Sequence, residues 1–106
     1  MDSSAHVAVD LPVAPAQAHQ AVEKVIAEQK HKLHESVPEQ GVIRFITKKT
    51  MLMWELHVEA HITQTEGGSR VDLVLDTDPN RPKALLDGKK NQKAAQKLAD
   101  QIRAAA

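Results

Sequence analysis

Hydrophobic and polar residues alternate without interruption between residues 54 and 62. One side is apolar and the other is polar: Trp54, Leu56, Val58, Ala60 and Ile62 against Glu55, His57, Glu59 and His61. A period of two is the pattern of a β-strand with one buried face. Because residues 69–76 alternate in the same way after the glycine pair at 67–68, the two runs predict a β-hairpin. Its apolar side should be buried and its polar side should face out.

Two turns are possible for this hairpin. If Glu66 and Gly67 form a two-residue turn, the strands pair His61 with Asp72 and His57 with Asp76. If Gly67 and Gly68 form it, Glu59 faces Asp76, which puts two carboxylates side by side. The sequence leaves both turns open.

Upstream of the hairpin, shorter patterns predict three more strands and a helix. Residues 7–13 alternate and predict a strand ended near Pro12, and Pro15 suits the first position of a helix that runs to about residue 29 or 30. Residues 31–37 either extend this helix or form a strand. The turn chemistry of residues 37–41 (VPEQG) favours the strand, paired with a further strand over 42–47.

The pattern also predicts how these strands pair. Across the first turn, Leu33 should lie beside Phe45 and Glu35 beside Ile43. A tight turn at residues 48–50 should then place Phe45 opposite Trp54, Ile43 opposite Leu56 and Arg44 opposite Glu55. In this register Glu35 points to the covered face, where burial would raise the pKa of its carboxyl, unless it reaches water at the sheet edge.

After Asp78 the apolar period changes to that of a helix. Residues 78–82 (DPNRP) supply a cap and early prolines, so a helix should run from about Pro82 to Ala104. Its lysines gather on a face separate from the apolar stripe: Lys83, Lys89, Lys90, Lys93 and Lys97. The predicted order is β-α-β-β-β-β-α. It describes a single α+β domain over residues 1–106, an antiparallel sheet with the long C-terminal helix packed on one face.

Composition narrows the possible functions. The chain has 15 Ala and 24 Leu, Ile or Val, but its only Phe, Tyr or Trp residues are Phe45 and Trp54, so little volume remains to wall a large cavity. It has no cysteine for disulfide or thiolate chemistry, and neither an export signal nor the ~20-residue apolar run of a membrane span. We therefore expect a cytoplasmic protein, whose oligomeric state the sequence leaves open.

Charge is balanced overall but unevenly distributed. Residues 79–106 contain seven Lys or Arg and two Asp, a net +5, whereas residues 1–78 contain seven Lys or Arg and twelve Asp or Glu, a net −5. A positive C-terminal segment can attract an anionic partner. It is equally the pattern of a solvated helix face.

No set of residues forms an active-site motif. His57, Glu59 and His61 lie on one strand face, but residues two apart are separated by roughly 7 Å, so the two histidines need help from another strand to share an ion. We predict ion and hydrogen-bonding pairs there and no metal. The other histidines are scattered and no phosphate loop is present. The sequence therefore predicts no catalytic residue and no cofactor.

Four segments resemble the START and polyketide-cyclase-like superfamily, also called SRPBCC. They are residues 41–45 (GVIRF), 53–58 (MWELHV), 67–71 (GGSRV) and 86–91 (LDGKKN). Members of that superfamily have a helix-grip fold, in which an antiparallel sheet curls around a long C-terminal helix. They bind lipids, hormones or aromatic polyketides between sheet and helix, and this chain resembles a shortened member. The bare topology is also similar to one half of the TATA-binding-protein saddle and to small proteins of polyhydroxyalkanoate granules.

The resemblance implies a non-enzymatic binding protein with a small apolar ligand between the sheet and the C-terminal helix. The expected ligand-binding residues are Phe45, Trp54, Leu56, Val58, Leu73, Leu85 and Leu98. A second hypothesis is an interaction module whose lysine-rich helix meets an acidic protein, a membrane surface or nucleic acid. A third, a small cyclase- or hydrolase-like enzyme, lacks an acid–base pair.

Overall fold

Five strands and two helices build the described part of the chain. The computed structural model describes residues 4–49, 55–77 and 87–106. The strands are β1 (Ala5–Leu11), β2 (Lys32–Val37), β3 (Val42–Ile46), β4 (Leu56–Thr65) and β5 (Gly68–Thr77); the helices are α1 (Pro15–Glu28) and α2 (Asp87–Ala105). The strands form one antiparallel sheet in the spatial order β1-β5-β4-β3-β2. This order confirms the α+β prediction, including a strand rather than more helix before Val37. Predicted helix residues 82–86 lie outside the described residues.

Both helices cover the same face of the sheet. Helix α2 packs chiefly on β1, on β5 and on α1, while α1 lies on β5 and β4 with a smaller contact to β2. The apolar side chains of β3, β4 and β5 lie on this covered face: Phe45, Leu56, Val58, Leu73 and Leu75 are each at most 3% exposed. On the opposite face His57 is exposed, and Arg44 and Asp72 are half-buried. The predicted burial pattern is confirmed for these residues, and Trp54 lies outside the described part.

The β4–β5 hairpin uses the first of the two possible turns. Thr65 pairs with Gly68, which leaves Glu66 and Gly67 as the turn, and His61 and His57 lie opposite Asp72 and Asp76. Gly68 has a φ of +146°, and a Cβ there would come within 2.3 Å of the Leu11 carbonyl oxygen. The end of β1 therefore requires glycine at this position.

The predicted pairing of β3 with β4 is wrong by four residues. Phe45 lies opposite Val58, Ile43 opposite Ala60 and Arg44 opposite Glu59. Strand β3 ends at Ile46 and β4 begins at Leu56, and Thr47 exchanges hydrogen bonds of 2.9 and 2.8 Å with the backbone of Leu56. Because a shift by an even number keeps every side chain on its face, the burial pattern survives the error.

The predicted position of Glu35 on the covered face is wrong, because β2 contains a bulge. Leu33 lies opposite Phe45 as predicted, but the register then shifts, and Glu35 lies opposite Arg44 rather than Ile43. One extra residue turns the following side chains to the other face. Glu35 is therefore exposed on the outer face, ion-paired with Arg44, and Ser36 takes the position opposite Ile43.

Helix α1 begins at Pro15 as predicted and ends in a Schellman motif. Lys30 adopts a left-handed φ of +60°. Its N–H donates to the Ala27 carbonyl at 3.2 Å, and the His31 N–H donates to the Ile26 carbonyl at 2.9 Å. These two bonds satisfy the last carbonyls of the helix and fix the position of His31 relative to α1.

Candidate functional site

The expected ligand-binding residues lie together in the covered core. Phe45, Leu56, Val58, Leu73 and Leu98 belong to one buried cluster between the sheet and the helices. Val58 lies between Phe45 on β3 and Leu75 on β5, so this row continues across three strands. The other two expected residues, Trp54 and Leu85, lie outside the described residues.

Phe45 is covered by a histidine that the sequence did not single out. The rings of His31 and Phe45 stack with their centroids 5.8 Å apart and an angle of 24° between planes. The Lys48 backbone N–H donates to Nδ1 of His31 at 3.0 Å. A nitrogen that accepts a hydrogen bond carries no proton, so the neutral ring has its N–H at Nε2. No sequence motif marks this pair, because its members come from the end of α1 and from β3.

The surroundings of His31 favour its neutral form. Burial lowers the pKa of His31, and the positive charges of Lys48 and Lys97 lower it further. Lys48 follows β3 and Lys97 belongs to α2, so three separate segments converge near His31. We call His31, Lys48 and Lys97 the basic rim.

A serine and a histidine meet inside the fold, but not in the arrangement of a hydrolase. His19 is 5% exposed, and its Nε2 lies 2.8 Å from Ser36 Oγ. The Ser36 hydroxyl donates to Glu23 Oε2 at 3.2 Å. In a catalytic triad the histidine accepts the serine proton and the carboxylate orients the histidine. Here the Glu23 carboxylate accepts the hydrogen bond from the serine hydroxyl, so His19 Nε2 donates to Ser36 Oγ, and the network joins α1 to β2.

The outer face carries an ion-pair network around Glu59, where the sequence predicted ion and hydrogen-bonding pairs and no metal. Glu59 accepts a hydrogen bond from Arg44 Nε at 3.1 Å and is also bonded to His61. These two partners, His61 first, lower the pKa of Glu59 against the opposing effect of partial burial. His57 lies one row away, opposite Asp76. Among the described residues, no group of three or more His, Asp or Glu side chains is placed to hold a metal ion.

An open groove of about 390 Å³ also lies on this outer face. Its lining includes Ile46, the 43%-exposed Val74 and the paired side chains of Arg44 and Glu59. Because the ion-paired Arg44 and Glu59 form part of its lining, this groove offers a mixed charged and apolar surface.

Helix α2 presents an exposed basic face. Within the described residues, this face consists of Lys89, Lys90, Lys93 and Lys97. None of these four makes a hydrogen bond or ion pair with another described side chain. Lys83 lies outside the described residues. No described helix is long and apolar enough to cross a membrane.

Comparisons with known proteins support the fold. No protein-family model and no curated protein matches the sequence. Protein CV1439 from Chromobacterium violaceum has a similar structure, with a TM-score of 0.65 and 11% identity over 95% of each chain. The crystal structure of Ara h 8.0201 is similar with a TM-score of 0.60 and 12% identity, over 95% of this chain and 94% of that one. These similarities support a helix-grip fold, an antiparallel sheet with a C-terminal helix packed on it.

Proposed function

We propose that this chain is a single, shortened helix-grip domain that binds a small apolar ligand between the sheet and the C-terminal helix. The position of Phe45 carries this proposal. Helix α2 packs chiefly on β1 and β5, and α1 on β5 and β4, so neither helix makes its main contacts with β3. Phe45 lies on β3, and its described aromatic neighbour is the side chain of His31. The largest apolar side chain of the described core therefore lies beside a side chain with a polar edge, at a strand that is not the main contact of either helix.

The ligand would lie along Phe45 and Val58, which are direct cross-strand neighbours. Leu56 and Leu73 would extend this surface along β4 and β5, and Leu98 would face it from α2. We assign Trp54 and Leu85 to the same site. All described members of this set are apolar, which supports an apolar ligand body.

The polar groups nearest this site support binding rather than catalysis. Ser36 and His19 are already bonded in an arrangement that leaves the serine hydroxyl donating to Glu23. General base catalysis requires a base that accepts the proton of the reacting group. His31 Nδ1 is occupied by the Lys48 N–H, so it is not available as a base.

Titration with N-phenyl-1-naphthylamine, a neutral apolar dye, tests the proposal. Its fluorescence should rise on binding, and Phe45→Leu and Trp54→Ala should weaken binding by removing contact area. The control Lys93→Ala changes an exposed residue of α2 and should leave affinity unchanged. A folded wild-type protein that does not bind the dye, or a binding curve unaffected by both aromatic substitutions, contradicts the proposal.

The exposed lysines of α2 favour a second candidate function, an interaction module for an anionic partner. Contact with an acidic protein, a membrane surface or nucleic acid would then depend on Lys90, Lys93 and Lys97. Charge substitutions at these positions should abolish binding, while Trp54→Phe should leave it intact. Nucleic-acid binding of this kind should be weak, independent of base sequence and sensitive to salt. Sequence-selective binding that survives high salt would contradict this description.

A further inference from the structure

The basic rim collects donors that have no internal partner. His31 is half-buried, and its Nδ1 is satisfied by the Lys48 backbone. Its Nε2–H has no hydrogen-bond partner among the described residues. A half-buried N–H that no internal acceptor occupies is available to donate to a ligand.

The positive charge at the rim is also not balanced internally. Lys48 and Lys97 are exposed, and neither makes an ion pair with a described residue. Both ammonium groups nevertheless lie close enough to His31 to act on its charge. Two cations therefore lie near the histidine whose ring stacks on Phe45.

The chain adds a further lysine where the backbone favours glycine. Lys30 directly precedes His31 and occupies the left-handed position of the Schellman motif. A left-handed conformation costs a residue with a Cβ about 1–2 kcal/mol relative to the right-handed one. The residue at this position adds positive charge next to the rim.

We propose that the ligand carries one carboxylate, bound by His31 Nε2–H, Lys48 and Lys97, with its apolar body packed along Phe45. This inference rests on the proposed function, because it assigns the polar end of the same ligand. A carboxylate suits the rim because it only accepts hydrogen bonds, and the rim offers only donors. The Arg44 guanidinium on the outer face differs in this respect, because Glu35 and Glu59 already occupy it.

Calorimetric titration with decanoate and with 1-decanol tests the proposal, since the two ligands share a chain and differ in the head group. At pH 8 decanoate is ionised and His31 is neutral. Substituting Lys97→Gln should weaken decanoate binding up to about fivefold, the range expected of one exposed ion pair, and leave decanol affinity unchanged. His31→Phe keeps an aromatic ring on Phe45 but removes the donor, and it should likewise weaken decanoate alone.

Lys89→Gln is the matched control. Lys89 is eight residues before Lys97 on α2, about 12 Å away along the helix axis, and its substitution removes the same charge. Both affinities should stay unchanged in this variant. Equal losses of decanoate affinity in Lys89→Gln and Lys97→Gln would show a general effect of net charge and contradict carboxylate binding by the basic rim.

The two proposals fail in different ways. If the wild-type protein binds neither decanol nor decanoate, the proposed apolar site is wrong, and the proposed role of the basic rim is refuted with it. If both ligands bind but Lys97→Gln and His31→Phe leave the decanol-to-decanoate affinity ratio unchanged, the apolar site stands and the rim is wrong. A loss confined to decanoate supports both.

Discussion

Asn91 donates a hydrogen bond from Nδ2 to Oγ1 of Thr77, 3.2 Å away, and both side chains are almost fully buried. Asn91 lies near the start of α2 and Thr77 is the last residue of β5. The bond therefore ties the C-terminal helix to the strand that precedes it. This contact helps to determine where the helix lies over the sheet, and with it the position of Leu98 and Lys97.

Removing this bond should destabilise the protein. We expect Asn91→Ala to lower the free energy of unfolding by about 1–3 kcal/mol, because the substitution leaves the buried Thr77 hydroxyl without its Asn91 donor. Urea unfolding of Asn91→Ala, Thr77→Val and the double variant measures the coupling. Strictly additive losses in the double variant would contradict a direct interaction.

The burial of side chains on the covered face predicts that a substitution at Leu56 lowers the free energy of unfolding much more than one at His57. Leu56 is 3% exposed, so Leu56→Ala should cost about 2–5 kcal/mol through lost contacts and a residual cavity. His57 is exposed on the opposite face, and His57→Ala should change stability by no more than ~0.5 kcal/mol. Chemical denaturation compares the two. Similar losses at both positions would be inconsistent with this orientation of β4.

The ion pairs of Glu59 predict a dependence of stability on pH. His61 and Arg44 lower the pKa of Glu59 in the folded protein, so the unfolded chain takes up the proton more readily. The stabilising contribution is therefore present above the ordinary pKa of a glutamate and is lost as pH falls through the lowered value. The stability difference between wild type and Glu59→Gln should shrink between pH 7 and pH 3. A difference that grows in acid would show the opposite sign.

The left-handed conformation of Lys30 predicts a stabilising substitution. Lys30→Gly should raise the free energy of unfolding by up to about 1 kcal/mol, since glycine adopts this conformation without a steric penalty and loses part of the gain through its freer unfolded state. Lys30→Ala removes the same side chain but keeps the Cβ, and it should leave stability nearly unchanged. The urea midpoints of the two variants separate the backbone effect from the charge.

Zinc should not stabilise the protein appreciably through His57, Glu59 and His61. Glu59 is already bonded to Arg44 and His61, so metal binding would have to break these contacts. A native-state metal site would raise the melting temperature by mass action. Thermal unfolding with and without zinc measures this. A clear zinc-dependent rise that disappears in His57→Ala would refute the prediction.

Local periodicity predicted the elements and the faces of the strands. The alternation at residues 54–62 and 69–76 placed Leu56 and Leu73 inside because a strand turns each successive side chain to the opposite face. The helix start at Pro15 was equally readable, since proline suits the first turn. These features depend on residues that are close together in the chain.

The pairing of β3 with β4 could not be read in this way. Opposing Phe45 with Trp54 or with Val58 buries the same set of side chains, because the two registers differ by an even number of residues. Likewise, no local signal announced the bulge in β2 that moves Glu35 to the outer face. Both depend on contacts between strands that separate segments of the chain supply.

The sequence by itself determined the element order, the covered side of β4 and β5, and the basic face of α2, because each follows from spacing along one segment. Only the tertiary structure decided which distant side chains meet. In the tertiary structure His31 stacks on Phe45, and Lys48 and Lys97 lie near that histidine. The Ser36 hydroxyl donates to Glu23, so it is not arranged as an activated nucleophile. Such contacts depend on the register of strands and the docking of helices, and periodicity specifies neither.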